Sequence, residues 1–586
     1  MFCKFQPVNL LYWGLCTAAL FAFGGGCSRD HYKADADKEV YQIIDNKWQD
    51  SFGQKANYRI SDVPPSPNDI KLEDVRPKTR VLSLAQAAAL ATAQNRDYQT
   101  QKEALYKSAL SLTGERYKYA LRWFGTIDGS YIDDKSDRGY DDVSVNTLGG
   151  ISKQQLLLDG VIVNAGIAID WVRFLTGDPR TSLASVLGGD VTVPLLGAGA
   201  GRVARENLTQ AERNVLYQIR AFNRYRQMFV VSIINDYYSV LQQRDAVTNA
   251  KNNYDMQEES KKRLDELAKA GRVPRINVDE AEQSMLSAQN ALVTAQQRYE
   301  QALDNFKITL SLPTDADVEL DPNELEALRK AEISEPNYIA DEAIETALVQ
   351  RLDLANTRDE VEDAARKVEL AADGLGVQLN LVGSLDVDSL EKTKFTRLQF
   401  HEGIYSLGWN ADLPLDRKSE RNAYRQALIT FTQQQRAYEN DVDNVKLQIR
   451  NAFRQLRERA ESYHIQKLSV ELAQRRVESN QLLLDAGRIE VRLLLDSQNA
   501  LVRAKNDFTA ALVNHTIARL NFFRDIGVLQ VRPDGMWEHR ELNRRSDSGG
   551  SLVRLDRIPE NPTSQRRFDF RDFLVKSDRI WEQLTQ

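Results

Sequence analysis

Three closely spaced glycines raise the first chemical possibility, a phosphate-binding loop. They lie in VTVPLLGAGAGR (191–202), where a short apolar strand pattern runs into Gly197, Gly199 and Gly201. A dinucleotide loop needs G-x-G-x-x-G, because each glycine meets its own steric demand, and here the third glycine comes one residue early. A mononucleotide loop needs Lys followed by Ser or Thr, and neither follows Arg202. The glycines therefore predict a flexible joint between a strand and a helix.

Groups that bind metals or catalyse reactions do not form a recognisable set in the sequence. The histidines lack the spacing of zinc ligands, and no nucleophile elbow is present. An acidic run between residues 133 and 142 favours a solvated loop over a cation site. We therefore expect no enzyme, no catalytic residues, no cofactor and no metal. The histidines are His31, His401, His464, His515 and His539; His515 lies in a stripe of large side chains and is predicted to be a packed core residue.

The N-terminus is typical of an export signal. Lys4 precedes an apolar core, NLLYWGLCTAALFAF (9–23), which is too short to span a bilayer. Cys27 follows GGG and resembles the lipidated cysteine of a bacterial lipoprotein, although Gly24 stands where such signals usually have Leu. The alternative is an ordinary signal with an incidental cysteine. The net charge of −7 gives no basic face for nucleic acid.

The chain repeats itself at a constant offset in residue number. Ala270-Gly271-Arg272 falls on Ala486-Gly487-Arg488, and matches at this offset continue along the neighbouring segments without a slip. Alanines at 281, 288, 295 and 302 recur every seven residues, with large side chains four positions later. This pattern is typical of a coiled-coil seam with close backbone approach.

Two helical hairpins follow from this pattern. The segments 202–270 and 415–486 contain no Gly or Pro before their final turns, so each predicts a helix of roughly 100 Å. Shorter helices return over 276–312 and 490–526. The first tip is AGRVPRINVDE (270–280) and the second tip is AGRIEVRLLLD (486–496). The predicted fold is mainly α with a small β part.

Four strands are predicted by strict alternation of apolar and polar residues. They are 123–131 and 190–195 before the first long helix, and 379–388 and 405–413 before the second. Pro194 and Pro414 mark the joints from strand to helix. Four strands cannot close a transmembrane barrel, so we expect several protomers to contribute their strands to one shared barrel. The alternative is a small soluble sheet. Residues 133–189 separate the first two strands, and the apolar segment LLLDGVIVNAGIAIDWVRFL (156–175) within them is expected to carry either extra strands or a surface helix.

The ordered duplication resembles the TolC family of outer-membrane efflux proteins. The shared order is helix, strand pair, long helix, tip and return helix, with AGR tips and heptad alanines. LSLAQAAALATAQNRDY (82–98) and DEAIETALVQRLDL (341–354) resemble the family's repeat openings. The resemblance covers about residues 82–530.

The resemblance implies a homotrimeric outer-membrane channel. It implies a periplasmic α-barrel and a shared 12-stranded transmembrane β-barrel, four strands from each protomer. It implies a passive conduit that docks with a periplasmic adaptor and an inner-membrane pump. The alternatives are an adaptor-type lipoprotein, which would have one hairpin between lipoyl-like halves, and a structural envelope coiled coil, which would not need the strands.

The resemblance also implies sites at the tips. Asp496 matches one of the family's pore-narrowing acids, but Leu493 replaces the other, so one acidic ring or two remain open. The alternative role for Asp496 is to cap or solvate the return helix. The adaptor-contact candidates are Gly271, Arg272, Gly487 and Arg488, where Arg at a helix end could equally offset the helix dipole; weaker gate candidates are Asp279 and Glu280.

The predicted organisation divides the chain at these elements. It has a lipoprotein signal (1–26), an N-terminal periplasmic linker (27–81), a first repeat (82–312), an inter-repeat linker (313–340), a second repeat (341–530) and a C-terminal periplasmic tail (531–586).

Overall fold

The computed structural model describes residues 28–55, 57–60, 81–134, 142–174, 181–196, 201–331, 333, 339–390, 396–413, 416–532 and 536–539. The first part contains helix α1 (Arg29–Lys47), a 3-10 turn (Asp50–Phe52), strand β1 (Val81–Leu82) and helices α2 (Leu84–Gln94) and α3 (Arg96–Tyr117). Strands β2 (Arg122–Asp134), β3 (Asp142–Leu156), β4 (Ile162–Phe174) and β5 (Thr181–Leu196) follow. The long helix α4 (Arg202–Lys269) and its return helix α5 (Arg275–Thr309) complete the first copy.

The second part repeats this order with fewer strands. It opens with strand β6 (Glu319–Leu320) and helices α6 (Asn323–Lys330), α7 (Ala340–Gln350) and α8 (Leu352–Asp373). Strands β7 (Gln378–Asp388) and β8 (Ile404–Asp412) lead into the long helix α9 (Lys418–Asp485) and the return helix α10 (Val491–Ile526). Two short strands, β9 (Leu529–Val531) and β10 (Trp537–His539), end the described chain.

Equivalent helices of the two copies have equal lengths. Helices α4 and α9 both have 68 residues and begin 216 positions apart. Helices α3 and α8 both have 22 residues, but they begin 256 positions apart. The offset between the copies therefore changes between α3 and α4, within the strands of the first copy.

The six long strands form one antiparallel sheet in the order β2-β3-β4-β5-β7-β8. All four predicted strands are present, but the expected number of four per chain is wrong, because the extra hairpin β3–β4 lies between β2 and β5. Of the alternatives predicted for 156–175, the described residues favour strands, because β4 covers Ile162–Phe174. Alternation was hard to detect in β3 and β4 because glycines occupy many strand positions, among them Gly149, Gly150 and Gly166.

The long helices pack into a layer. On the side of the sheet the neighbours run α3–α4–α8–α9, and towards the tips they run α5–α4–α10–α9. Ion pairs join α4 to α8: Arg213 Nη1 lies 2.6 Å from the Asp363 carboxylate, and Arg220 lies 2.6 Å from Asp359. Helix α4 therefore has neighbours on both sides along its whole length, whereas α9 lies at an edge.

The segments outside the two repeats also contain regular structure. Helix α1, inside the predicted N-terminal linker, packs against α3 and α4. In the predicted inter-repeat linker, β6 pairs in parallel with β1, so the two copies are tied together at their openings. Ser83 caps α2 through a capping box with Gln86.

Candidate functional site: the tips, the sheet and the terminal clasp

The two tips have the same backbone geometry. Gly271 (φ +73°) and Gly487 (φ +70°) adopt the left-handed conformation that favours glycine. The Arg272 amide donates to the Leu267 carbonyl at 2.9 Å, and the Arg488 amide donates to the Leu483 carbonyl at 2.9 Å. These bonds are Schellman motifs, which satisfy the last carbonyls of α4 and α9. The side chains of both arginines are exposed, on the outside of the tips.

Asp496 lies on the exposed side of the first turns of α10. Its side chain is 63% exposed, and one carboxylate oxygen lies 4.0 Å from Nε of Arg492, one helical turn earlier. Leu493 is also exposed, whereas Leu494 and Leu495 are buried. The tip thus presents an acid and an apolar side chain to the outside of the chain, and an exposed pair of this kind contributes little to stability.

An apolar cluster joins the two hairpins beside their tips. It combines Leu264 of α4, Val278 and Ala281 of α5, and Val491 and Leu495 of α10, all nearly inaccessible. Arg263 of α4 also forms an ion pair with Asp485 at the end of α9. The tips of one chain are therefore packed against each other.

Further from the tips, a polar seam runs between α4 and α10. The Asn249 amide donates to Asn506 Oδ1 at 2.8 Å, and the Asn253 amide donates to Asn499 Oδ1 at 3.2 Å. Asp245 accepts from Thr509 at 2.7 Å. Buried amide pairs fix the register of adjacent helices at some cost in stability.

His515 is buried in the helical layer. Its side chain is 3% exposed, and no described residue forms a hydrogen bond with its Nε2 atom. Burial, reinforced by the charges of Arg519 and His464, lowers its pKa to about 4. The position agrees with the predicted packed core residue. No group of three or more His, Cys, Asp or Glu side chains among the described residues is arranged to hold a metal ion.

The joints from strand to helix differ from the expected geometry at Pro194. This proline lies within β5, opposite Asn380, and an irregularity in the register follows before Leu196. The strand therefore continues past the proline, and the joint lies between Leu196 and Gly201, whose φ of +58° starts α4. Pro414 and Cys27 fall outside the described residues.

The sheet has one mainly apolar face and one mainly polar face, although Phe124, Leu148 and Ile404 lie on the polar side and Lys153 lies on the apolar side. A polar row crosses all six strands, in the order Arg122, Gln154, Asn164, Asp190, Ser384 and Ser406. Hydrogen bonds within it include Arg122 to Gln154 at 2.8 Å and Asn164 to Asp190 at 2.9 Å. The opposite face exposes large apolar side chains: Trp123, Ile127, Tyr131, Ile151, Ile167, Leu407 and Trp409.

So large an exposed apolar face is typical of a surface that contacts lipid or another protein. No helix in the part of the chain that the structure describes has both the length and the apolar character to cross a membrane.

A clasp at Arg226 holds both ends of the described chain, and the sequence analysis missed it. Arg226 of α4 is 2% exposed and donates to the Gln54 carbonyl at 2.8 Å and to the Val531 carbonyl at 3.3 Å. The neighbouring Gln227 donates to the Leu529 carbonyl at 2.8 Å. The clasp therefore fastens the segment after α1 and strand β9 to one turn of α4.

The clasp also brings a second cation into the core. Lys102 of α3 is 5% exposed, and burial together with the charge of Arg226 lowers its pKa to about 8. A signal was available in the sequence, because Val442 occupies the position of the second copy that is equivalent to Arg226. A buried cation in only one of two equivalent helices indicates a contact that only one copy makes.

Solved structures of outer-membrane channels have this fold. The Campylobacter jejuni CmeC outer membrane channel aligns with a TM-score of 0.56 and 14% identity, covering 82% of this chain and 91% of that chain. The open state of the Neisseria gonorrhoeae MtrE outer membrane channel gives 0.56 and 14%, covering 81% and 96%. CusC, whose crystal structures concern the conformational changes that accompany folding and transmembrane channel formation, aligns with a TM-score of 0.56 and 12% identity. The alignment covers 81% of this chain and 99% of that chain. The fold is therefore that of the outer-membrane channels.

The family follows from the sequence match. The model of the outer membrane efflux protein family matches residues 144–307 and again residues 343–527, together more than half of the chain. The protein belongs to the outer membrane efflux protein family, and the TolC-family resemblance is confirmed. No individually curated protein matches the chain.

Proposed function

We propose that the protein is the outer-membrane exit duct of a tripartite efflux or secretion system. The observation that carries the proposal is the sheet, which exposes an apolar face above a layer of long helices. Among the described residues, no further strand pairs with the outer edges of β2 and β8. A sheet with a lipid-facing side and open edges is stable in a membrane only when it closes with other copies. Family membership supports the outer-membrane location.

The assembly that fits is a homotrimer. Helix α5 ends the layer on one side and α9 ends it on the other, and both expose apolar side chains: Leu286 and Val293 on α5, and Ile465, Leu468 and Leu472 on α9. Packing α5 of one copy against α9 of the next buries both stripes. The ring encloses a passive conduit that performs no reaction of its own.

The partners expected at the tips are a periplasmic adaptor and, below it, an inner-membrane pump. Gly271, Arg272, Gly487 and Arg488 are the adaptor-contact candidates, because they are exposed and lie at the ends of the hairpins. Cys27 is the proposed site of lipidation, anchoring the chain in the periplasmic leaflet, with residues 1–26 as its signal. The segments 27–81 and 531–586 are proposed to lie in the periplasm.

Asp496 is the proposed pore-gate residue. Three copies around the axis would place three carboxylates at the narrow end, favouring cations. We expect Asp496→Ala to reduce cation preference in planar bilayers and Asp496→Arg to reverse it, while trimers stay intact. Unchanged selectivity in both variants would show that the carboxylate faces away from the pore and only solvates α10.

The function is tested on the detergent-extracted protein from outer membranes. We expect a mass of three copies by native mass spectrometry, acyl groups on Cys27 and ion conduction after reconstitution. Cys27→Ala should lose the acyl groups but keep the oligomer. A protein that stays monomeric and remains in aqueous solution without detergent would contradict the proposed function.

A further inference from the structure

We infer that the channel wall in the membrane contains eighteen strands, and that the β3–β4 hairpin widens the exit through the outer membrane. The inference rests on the proposed trimeric duct. It replaces the twelve-stranded barrel that the family resemblance implies.

The hairpin is an insertion into one of two equivalent copies. The first strand of each copy begins at Arg122 and Gln378, 256 positions apart, and the last strand ends at Leu196 and Asp412, 216 positions apart. The two repeats thus agree outside the strands, and most of the difference in their lengths arises in the segment that joins the flanking strands. Without the inserted hairpin, each of the two internal repeats of one chain would contribute two strands.

The hairpin is part of the wall and does not lie on it. Strand β3 pairs with β2 from Arg122–Gln154 to Asp134–Asp142, and β4 pairs with β5 along nearly its whole length. Gln154 and Asn164 are the hairpin's members of the polar row. Ile151 and Ile167 lie opposite each other on the apolar face. Both faces of the sheet therefore continue through the inserted strands.

An inserted hairpin preserves the direction of the edges. The six strands alternate in direction, so β2 and β8 run oppositely at the two edges of the sheet. In a head-to-tail ring, β8 of one protomer therefore lies beside β2 of the next protomer as an antiparallel neighbour. Three protomers together supply eighteen strands, which is an even number, as in single-chain bacterial outer-membrane barrels.

The inserted strands curve towards the polar face. A Cβ atom on Gly166 would lie 2.9 Å from Cβ of Ser152, on the neighbouring strand and on the polar face. Opposed side chains normally keep their Cβ atoms about 4.5–5.5 Å apart. Gly188, directly opposite Gly166, likewise places no side chain on this face. Such crowding on one face means that the sheet curls around its polar side, as the wall of a water-filled lumen does.

The strand number sets the width. With strands about 4.8 Å apart and tilted by about 40°, eighteen strands give a backbone radius of about 18 Å, against about 12 Å for twelve. The long helices of the two internal repeats are equal in length, so the inserted hairpin does not alter the helical layer. The larger radius therefore applies only to the β-barrel in the membrane. The inserted hairpin therefore widens the duct only where it crosses the outer membrane.

The experiment measures how fast a large polymer reaches the polar, lumen-facing side of the barrel. Ser384 lies on the polar face in the middle of β7, and the three natural cysteines are Cys3, Cys16 and Cys27, all near the N-terminus. We expect Ser384→Cys in the full-length trimer to react with a maleimide polymer of about 5 kDa, and at least about tenfold more slowly once residues 136–175 are deleted, because the smaller barrel excludes the polymer. Arg272→Cys, at the tip, should react at equal rates in both backgrounds. The unmodified protein serves as the background control.

A second measurement does not depend on the deletion variant folding. A cryo-electron microscopy map of the native trimer should show eighteen strands in the wall. A trimer with twelve strands, or equal labelling at position 384 with and without residues 136–175, overturns the inference and leaves the exit duct in place. A protein that forms no ring at all overturns the proposed function instead.

Discussion

Helices α4 and α9 are equivalent in sequence position and equal in length, yet they are buried to very different extents. Among their 68 residues, α4 has 21 buried residues and α9 has seven. Helix α4 lies between two neighbours, whereas α9 ends the layer. Since the two helices are equal in length, the difference in burial reflects both the neighbour that α9 lacks within one chain and the terminal segments that only α4 contacts, and it agrees with the proposed ring.

The side chains on the free side of α9 support this comparison. Ile465, Leu468 and Leu472 lie on one stripe of the helix, and each is more than half exposed. On the opposite side of α9, Leu456 is buried and Tyr463 packs against Ala511 and Leu512 of α10. A helix that is apolar on two sides needs two neighbours.

The largest expected effect comes from making the free stripe polar. Leu468→Asp with Leu472→Asp should abolish the oligomer, because six buried carboxylates would face apolar partners. Native mass spectrometry in detergent measures the oligomer, and circular dichroism should show unchanged helix content. Lys467→Gln with Gln474→Asp makes the same change in net charge and should leave the oligomer intact. Trimers in the first variant would place another surface at the contact.

A smaller effect is expected from the clasp, which only α4 has. Arg226→Met should lower the free energy of unfolding by about 2–4 kcal/mol, because it leaves the Gln54 and Val531 carbonyls without their donor. Val442→Met, at the equivalent position of α9, should change it little. Urea denaturation of the detergent-solubilised protein measures both variants. Equal losses would show that the two positions do not differ as their burial indicates.

The return helices α5 and α10 also differ at one equivalent position, where α10 has His515 and α5 has Tyr299. The pKa of His515 is lowered to about 4, so the folded state binds its proton later than the unfolded state as the pH falls below about 6.5. Stability should therefore drop by about 2 kcal/mol between pH 7 and pH 5 through this residue. His515→Gln should remove that part of the drop in thermal unfolding. Identical pH profiles would assign the drop to other groups.

The smallest effect should be the same in both copies. Gly271→Ala and Gly487→Ala should each cost about 1 kcal/mol, because both positions have a positive φ and open surroundings. Gly374→Ala is the control, since Gly374 has an ordinary helical conformation (φ −64°). Hydrogen exchange near the tips measures the local cost. A clearly larger cost at one tip would show that the assembled protein holds that tip alone.

Local patterns predicted much of the fold. The heptad alanines and the Ala-Gly-Arg ends determine the hairpins, because a helix end needs only its last turn and one glycine. The strand alternation of β7 and β8 was equally clear. In β3 and β4, glycines and mixed faces obscured the alternation, so the sequence left strands and a surface helix open. Pro194 was predicted as a joint, but a proline can also sit at an irregularity within a strand.

Contacts distant in the sequence were not predictable in this way. Arg226 reaches carbonyls 172 and 305 positions away, and no local pattern indicates which main-chain oxygens a buried cation will find. The position of Asp496 in the return helix was predicted, but whether its carboxylate faces a pore depends on the ring.

The clasp at Arg226 also sets an order of events during biogenesis. A chain that crosses a membrane with its N-terminus leading delivers Gln54 first, Arg226 next and Val531 last. The Nη2 atom of Arg226 cannot donate to the Val531 carbonyl until β9 arrives, and a buried cation that lacks this bond opposes premature compaction. The clasp thus acts as a completeness check, because a truncated or still-translocating chain lacks the residue that closes it.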